Sequence, residues 1–469
     1  MAWHTWSPAV FQEAQERDCP ILLYLAAPGC EGLFAAEDNF ARTLAEERFV
    51  AVRVDPFRRP DIARRYDAGG WPALAVLGAD GRAFALVVDM PPDNVQLFLW
   101  RILENYQKRR ALIDKKIERA ASKQTRGKKW NLDINRVYAA AVSNFDTLHG
   151  GFGSGVKFIE GSVLRFLLDY AKENQDKKTR DMVLKSLDAF LGSPMLDTEA
   201  GGVLAYSYTP DWGTPAREKD ALDQAALVLL LLQAATGDES SYARAATDLV
   251  AFMRTRLFDS VRGVFAGRQI GTLDGQWWTD PAVYADRNAL SIRALVAAAR
   301  DLHDPEAAAM AVQAMDFLLT HCIDERGAVY HCYLDGERTA PGLLEDQALV
   351  AAALLDLYAL RGEKRFARRA DTVVHFMEEA LFDSAAGVFR DRPEGATLEN
   401  IASQPIISYE DSALPAGNIL AAELYMDLND LDRVATLLGN KRLKQQPGRT
   451  YSSYARALLR YERMRHTSP

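Results

Sequence analysis

A small α/β domain followed by a larger all-α toroid is the fold this 469-residue sequence predicts, and three observations predict it. Short β-rich runs alternate with helical spacing over the first hundred residues. Helical spacing dominates after about residue 130. Through that second part a Gly-(Gly/Ala)-apolar-aromatic pattern recurs: Gly150-Gly151-Phe152, Gly201-Gly202-Val203, Gly263-Val264-Phe265, Gly327-Ala328-Val329-Tyr330 and Gly387-Val388-Phe389, spaced 51 to 64 residues apart. Repeats of that length mean that neighbouring units bury one another's apolar faces.

The elements follow in order. Residues 20–25 and 49–54 read as strands, and Phe34 to Arg48 between them carries helical spacing, so a βαβ unit is expected. Ala73 to Leu77 and Phe84 to Val88 flank the turn Gly78-Ala79-Asp80-Gly81 as a hairpin, and Asp93 to Tyr106 closes the domain as a helix. Such an order describes a thioredoxin-like domain over residues 1–107. From Lys108 to Lys129 ten Lys/Arg face two acids, which suits a solvated basic linker over 108–130. The remainder, 131–469, holds paired helices from Val163 to Met464. Three of them open almost identically: Leu222-Asp223-Gln224-Ala225-Ala226-Leu227, Ala285-Asp286-Arg287-Asn288-Ala289-Leu290 and Leu344-Glu345-Asp346-Gln347-Ala348-Leu349. Five or six such pairs predict an (α/α)6 toroid, with inner helices ringing a cavity and the Gly-aromatic runs supplying apolar walls to its mouth.

Composition narrows the function classes. Apolar and charged fractions of 48% and 26% are those of a soluble globular chain, and a net charge of −8 argues against nucleic acid as a general partner. Four cysteines (19, 30, 322 and 332) are too few for a disulfide framework. The N-terminus lacks the basic and apolar regions of a signal peptide, and no run of about 18 apolar residues suggests a membrane partner, so a cytoplasmic location is the expectation.

Several segments carry a family resemblance. Trp6 with Phe11 and Ala14, Val54-Asp55-Pro56-Phe57-Arg58-Arg59-Pro60-Asp61-Ile62, and above all Gly69-Gly70-Trp71-Pro72 resemble the thioredoxin-like proteins related to spermatogenesis-associated protein 20 (DUF255). Gly150-Gly151-Phe152-Gly153 with Lys157-Phe158, Asp211-Trp212 with Pro215-Ala216-Arg217-Glu218-Lys219, and Pro415-Ala416-Gly417-Asn418 extend it through the second half. The resemblance implies a cis Pro72 facing a redox loop, and a toroid like that of six-hairpin glycosidases and N-acylglucosamine epimerases. It also exposes two departures. Where family members carry Cys-x-x-Cys, this chain has Cys30-Glu31-Gly32-Leu33, and Leu33 cannot resolve a mixed disulfide. The histidine of the family's Pro-His-Phe-Glu-Lys stretch is Ala216.

Carbohydrate chemistry needs paired carboxyls, one kept protonated by its surroundings. Acids at or near inner-helix starts qualify: Glu218, Asp220, Asp223, Asp286, Glu345, Asp346, Glu410 and Asp411. Asp223, Glu218 and Asp346 are the catalytic candidates. Trp212, Trp278, Tyr206, Asp286, Asn288 and Asn418 are the substrate-binding candidates. An Asp at a helix start is equally an N-cap, and its repetition favours that role. Epimerisation would need histidines on both faces of a substrate, and only His331 lies in a mouth loop. No His/Cys/Asp spacing reads as a metal ligand set, and no cofactor motif is evident. The expected partner is a small, sugar-like molecule, with a protein partner compatible. Two alternatives stay open: a non-catalytic binding scaffold, and a monothiol redox protein using Cys30.

Overall fold

The computed structural model describes residues 3–28, 34, 39–66, 69–106, 130–235, 240–272, 274–393, 406–439, 442–443 and 447–467. It divides into two units, 1–128 with 392–406, and 129–391 with 407–469. All but the last residue of the basic stretch 108–130 lies outside the described residues, as does Cys30.

In the N-terminal unit, α1 (Pro8–Glu16), β1 (Ile21–Leu25), α2 (Asn39–Arg48), β2 (Val50–Val54), α3 (Pro60–Ala63), β3 (Ala73–Leu77), β4 (Ala83–Val88) and α4 (residues 92–106) follow in order. The sheet runs β2-β1-β3-β4, with β1 parallel to β2 and antiparallel to β3. Every residue of β1 and β3 is buried, because helices cover both faces. Val10, Phe11 and Ile62 pack on one face; Ala41, Leu44, Val95 and Leu99 pack on the other. This is a thioredoxin-like region. The Trp71-Pro72 peptide is cis and leads directly into β3. Asp61 of the Arg-Pro-Asp segment is buried and takes a forked pair of bonds from Arg59 at 2.9 and 2.8 Å. Arg392, grouped with this unit, approaches the same carboxylate at 3.4 Å.

The second unit is an (α/α)6 toroid. Its helices are α5 (Ile134–Ser143), α6 (Gly161–Asn174), α7 (Lys177–Leu191), α8 (Ala221–Ala234), α9 (Ser241–Phe252), α10 (Ala285–Asp301), α11 (Pro305–His321), α12 (Leu344–Arg361), α13 (Lys364–Leu381), α14 (Gly417–Asp427), α15 (Leu431–Leu438) and α16 (Ser452–Thr467). The even-numbered helices from α6 pack in a closed ring, each on the next and α16 back onto α6; the odd-numbered ones lie outside. Sequence separates the two classes. In α12, Leu344 through Leu354 are all buried, as an inner helix requires. In α13, burial falls on Phe366, Ala370, Val373, Met377 and Leu381, a single stripe at helical spacing. No helix is long and apolar enough to cross a membrane, among the described residues.

The recurring Gly runs join each outer helix to the next inner one, and they are not cavity walls. Phe152, Phe265 and Phe389 are buried in the core. Each loop opens on an Asp whose backbone carbonyl accepts the glycine N–H, as Asp197 does for Gly201 and Asp259 for Gly263. An amide at the start of the following inner helix then grips the loop backbone. Gln224 bonds both N–H and C=O of Val203 at 2.8 Å, and Asn288 does the same to Phe265 at 2.9 and 3.0 Å. Gln347 takes the Val329 N–H and donates to Gly327 O; Asn418 takes the N–H and C=O of Phe389. The glycines sit at positive φ, and a Cβ on Gly202 would meet the Phe252 ring at 2.6 Å.

Candidate functional site

Inside the ring, the first turns of the inner helices enclose a cavity of about 490 Å³. Its walls are largely aliphatic, with Leu227, Leu290, Leu349 and Leu420 among them, and four carboxyls line it: Glu160, Asp223, Asp411 and Glu423. Such a space, apolar with a few convergent polar groups, is the usual form of a small-molecule site.

Asp223 lies in the first turn of α8, one turn beyond Asp220. Asp220 is the N-cap: one oxygen accepts from Leu222 N at 2.9 Å and the other from Arg287 at 2.9 Å. The Asp223 carboxyl makes no hydrogen bond to a described residue and opens into the cavity. Burial raises its pKa to about 8, helped by the charges of Asp220 and Glu218 and opposed by Arg287. Asp411 precedes α14 and accepts from both the backbone and hydroxyl of Ser453. Burial lifts it to about 7 in spite of those bonds. Glu423 on α14 is the opposite case: burial would raise it, but Arg456, Arg165 and Arg293 hold it below the usual range. The cavity therefore combines acids that are protonated near neutrality with two carboxylates held by arginines, Glu423 and the Arg449-bonded Glu160.

The other sequence candidates fall elsewhere. Glu218 sits in a three-residue strand against residues 268–271, its pKa raised by burial against the pull of Arg268. Asp346 is buried against His331, whose Nδ1 lies 3.0 Å from Oδ2. Burial lowers the His331 pKa, but Asp346 and then Asp286 outweigh it and hold it up at about 9. Asp286 is gripped by its neighbour Arg287, at 3.0 and 3.2 Å. Asp220, Arg287, Asp286, His331 and Asp346 thus form a largely buried charged cluster outside the cavity lining. Ligand atoms of Asp286, His331 and Asp346 lie within 4.8 Å of one another, a spacing a metal ion would accept. Arg287 and a protonated His331 already supply the positive charge there, so the trio fits an ionic network better than a metal centre.

Trp212 is buried, its indole N–H donating to His149 O at 3.0 Å beneath the Lys157 ammonium. It therefore packs in the core and stacks on no ligand. Lys157 in turn holds Asp146 at 2.5 Å and Gly150 O at 2.6 Å, and Lys219 repeats this with Asp197 and Gly201 O, both at 2.6 Å. Trp278 is on the strand Trp277–Thr279, outside the cavity lining. Tyr206 packs at a tilt against Phe158, which does line the cavity, and its hydroxyl meets that of Tyr208 at 3.3 Å. Asn288 and Asn418 are the backbone grips described above. Pro72 belongs to the N-terminal unit.

Sequence reasoning missed the floor. Arg165, Arg293 and Arg456 interrupt apolar inner helices and form a belt with Asp169, Asp356 and Glu423. Their signal was there: each is an arginine between buried or aliphatic neighbours, as in Leu164-Arg165-Phe166 and Ala455-Arg456-Ala457.

Comparison with known proteins matches these features. Residues 1–125 match the family profile described as "Protein of unknown function, DUF255". An uncharacterised protein of Caenorhabditis elegans is 27% identical over 263 residues, 48% of this chain and 35% of its own length. Human spermatogenesis-associated protein 20 is 26% identical over 274 residues, 50% of this chain and 35% of its own length. The chain thus matches about a third of the length of these curated relatives. A D-mannose isomerase superimposes with a TM-score of 0.54 at 12% identity, over 71% of this chain and 96% of its own. A cellobiose 2-epimerase from Bacillus thermoamylovorans gives 0.54 at 10% identity, over 70% and 99%. An α-mannanase of Bacteroides thetaiotaomicron gives 0.52 at 12%, over 71% and 96%. At such identities the likeness is one of fold. The chain is thus similar over about half its length to the spermatogenesis-associated protein 20 proteins, with a segment that matches the DUF255 profile of unknown function and a toroid of the fold seen in that isomerase, epimerase and mannanase.

Proposed function

We propose that the toroid cavity binds a sugar or similar polar small molecule and that Asp223 acts on it as a general acid. The observation that carries this reading is the state of Asp223: a carboxyl opening into a 490 Å³ cavity, bonded to no described protein group, and protonated up to about pH 8. An acid matched to the working pH is what proton transfer to a sugar oxygen requires. The aliphatic walls suit the C–H faces of a sugar ring, and Phe158 offers a flat surface at the cavity. The toroid's likeness to a mannose isomerase, a cellobiose epimerase and a mannanase supports the substrate class.

The test is thermal stability of the full chain against a panel of mono- and disaccharides, with Asp223→Asn alongside. Ligand binding to the folded state stabilises by about 2.7 kcal/mol at 100 times Kd. A stabilising sugar whose turnover disappears in Asp223→Asn supports the reading, and turnover that survives the substitution removes Asp223 from its role. A second reading, a scaffold without catalysis, is favoured by Leu33 and Ala216 standing where the family pattern has cysteine and histidine. Silence across the whole panel would favour it.

A further inference from the structure

We infer that the molecule held in this cavity carries a carboxylate, seated on the guanidinium of Arg165 at the cavity floor. The inference rests on the sugar-binding reading above and names the substrate class of the same site.

Arg165 projects from α6 and lines two spaces at once, the 490 Å³ cavity and a second one of about 400 Å³ toward the far end of the ring. Its Nε donates to Gln233 Oε1 at 3.1 Å, its one hydrogen bond among the described residues. Every carboxylate of the belt is committed elsewhere. Asp169 takes Arg456 at 2.8 Å and Gln233 at 2.9 Å; Glu423 takes Arg456 at 2.8 Å; Asp356 takes Arg293 at 2.7 Å. Arg165 is left facing a neutral amide, with both terminal nitrogens unbonded.

A guanidinium in that position remains charged. Burial and then Arg456 lower its pKa to about 9, still well above neutrality. This half-buried guanidinium meets Glu423 and Asp169 only through space, and its terminal nitrogens bond no described group, so they are open to a closer anionic partner. The geometry of the donors selects the anion. With Nε occupied, the two terminal nitrogens present an end-on planar fork, which matches the two oxygens of a carboxylate. Charge selects it too. The belt's three arginines are matched by three carboxylates, so it has no excess positive charge to hold a phosphate dianion, and the two open nitrogens of Arg165 suit a single negative charge better. Of the acids that line the cavity, Asp223 and Asp411 are protonated near neutral pH and oppose no anion, and Glu160 and Glu423 are each paired with an arginine, Arg449 and Arg456. A hexuronic or similar sugar acid meets all three conditions: a ring for the aliphatic wall, hydroxyls for the acids, and one carboxylate for the floor.

Titration calorimetry on the full chain tests this with glucuronate, galacturonate and mannuronate, the three parent hexoses, and the hexose 6-phosphates. We expect one uronate to bind the wild type at least tenfold more tightly than the hexose of the same ring. Arg165→Gln should abolish that preference, and Arg165→Lys, which keeps the charge and loses the fork, should retain only part of it. Should Arg165→Gln fail to fold, the wild-type ratio and Arg165→Lys decide the matter. Equal affinity for hexose and uronate, or a preference indifferent to Arg165, overturns the carboxylate assignment and leaves the sugar reading standing. A preference for the 6-phosphate overturns it in favour of a dianion. No binding by any of the nine compounds takes both readings down together.

Discussion

Asp220 and Asp223 lie three residues apart at the start of one helix and meet opposite surroundings. Asp220 is bonded to a backbone N–H and to Arg287, so its charge is supported. Asp223 gains no such bonds and meets the charge of Asp220 across one turn, so burial wins. The sign of the consequence follows. An unfolded Asp titrates near 3.9, and Asp223 titrates near 8 when folded, so the folded state holds the extra proton between those values. Stability from this group is fully present below about pH 4 and is lost as pH rises toward 8. Asp223→Asn removes the titration. Relative to wild type, the variant should therefore gain stability between pH 5 and pH 9 in urea unfolding. A wild-type minus variant difference that stays flat over that range would sink the assignment. His331, raised to about 9 by its carboxylate partners, loses its own contribution as pH rises through that value, but it is common to both proteins and cancels. Replacing His331 by Leu should cost about 3–5 kcal/mol at pH 6, because Asp346 would be left buried without its partner. A loss under 1 kcal/mol would mean that the pair is not ionised.

At the scale of elements, the repeated acid-plus-amide openings were legible in the sequence, but their division of labour was not. Repetition pointed to capping, yet α10, α12 and α14 have no side-chain cap, and the repeated work is done by the amides Gln224, Asn288, Gln347 and Asn418. An amide has both a donor and an acceptor, so one side chain can satisfy a loop N–H and a loop C=O together. Replacing Asn418 by Leu should leave both groups of Phe389 unpaired in the core and cost about 2–5 kcal/mol, measured by denaturant unfolding. Lys219 is a second such fixture: Lys219→Met strands Asp197 and Gly201 O, and a similar loss is expected there. The same physics explains the tryptophans. Trp212 and Trp278 look alike in sequence, but one is sealed beneath Lys157 and the other lies on a short strand; a sequence pattern reports apolar area and not what covers it. The helix periods and the strands of the first hundred residues were legible because burial periodicity is local. The arginine belt was not, because its partners come from five helices far apart in the chain.

For the toroid as a whole, closure is the property that separates it from an open array of hairpins. In an open array each unit leans only on its neighbours, so removing the last costs about one interface. Here α16 closes the ring between α14 and α6 and also packs on α5, the first helix of the unit. It carries Ser453 and Arg456, which bond Asp411 on the cavity wall and Glu423 and Asp169 in the floor. Losing it uncovers faces on four helices, α5, α6, α14 and α15, and leaves Asp169 and Glu423 without the arginine they share. A chain ending at Tyr451 should therefore lose the toroid's cooperative thermal transition altogether, with strong binding of a hydrophobic dye. Calorimetry decides it. A sharp transition retaining most of the wild-type enthalpy would mean that the remaining hairpins stand alone as a solenoid, and that ring closure serves the cavity without holding the fold together.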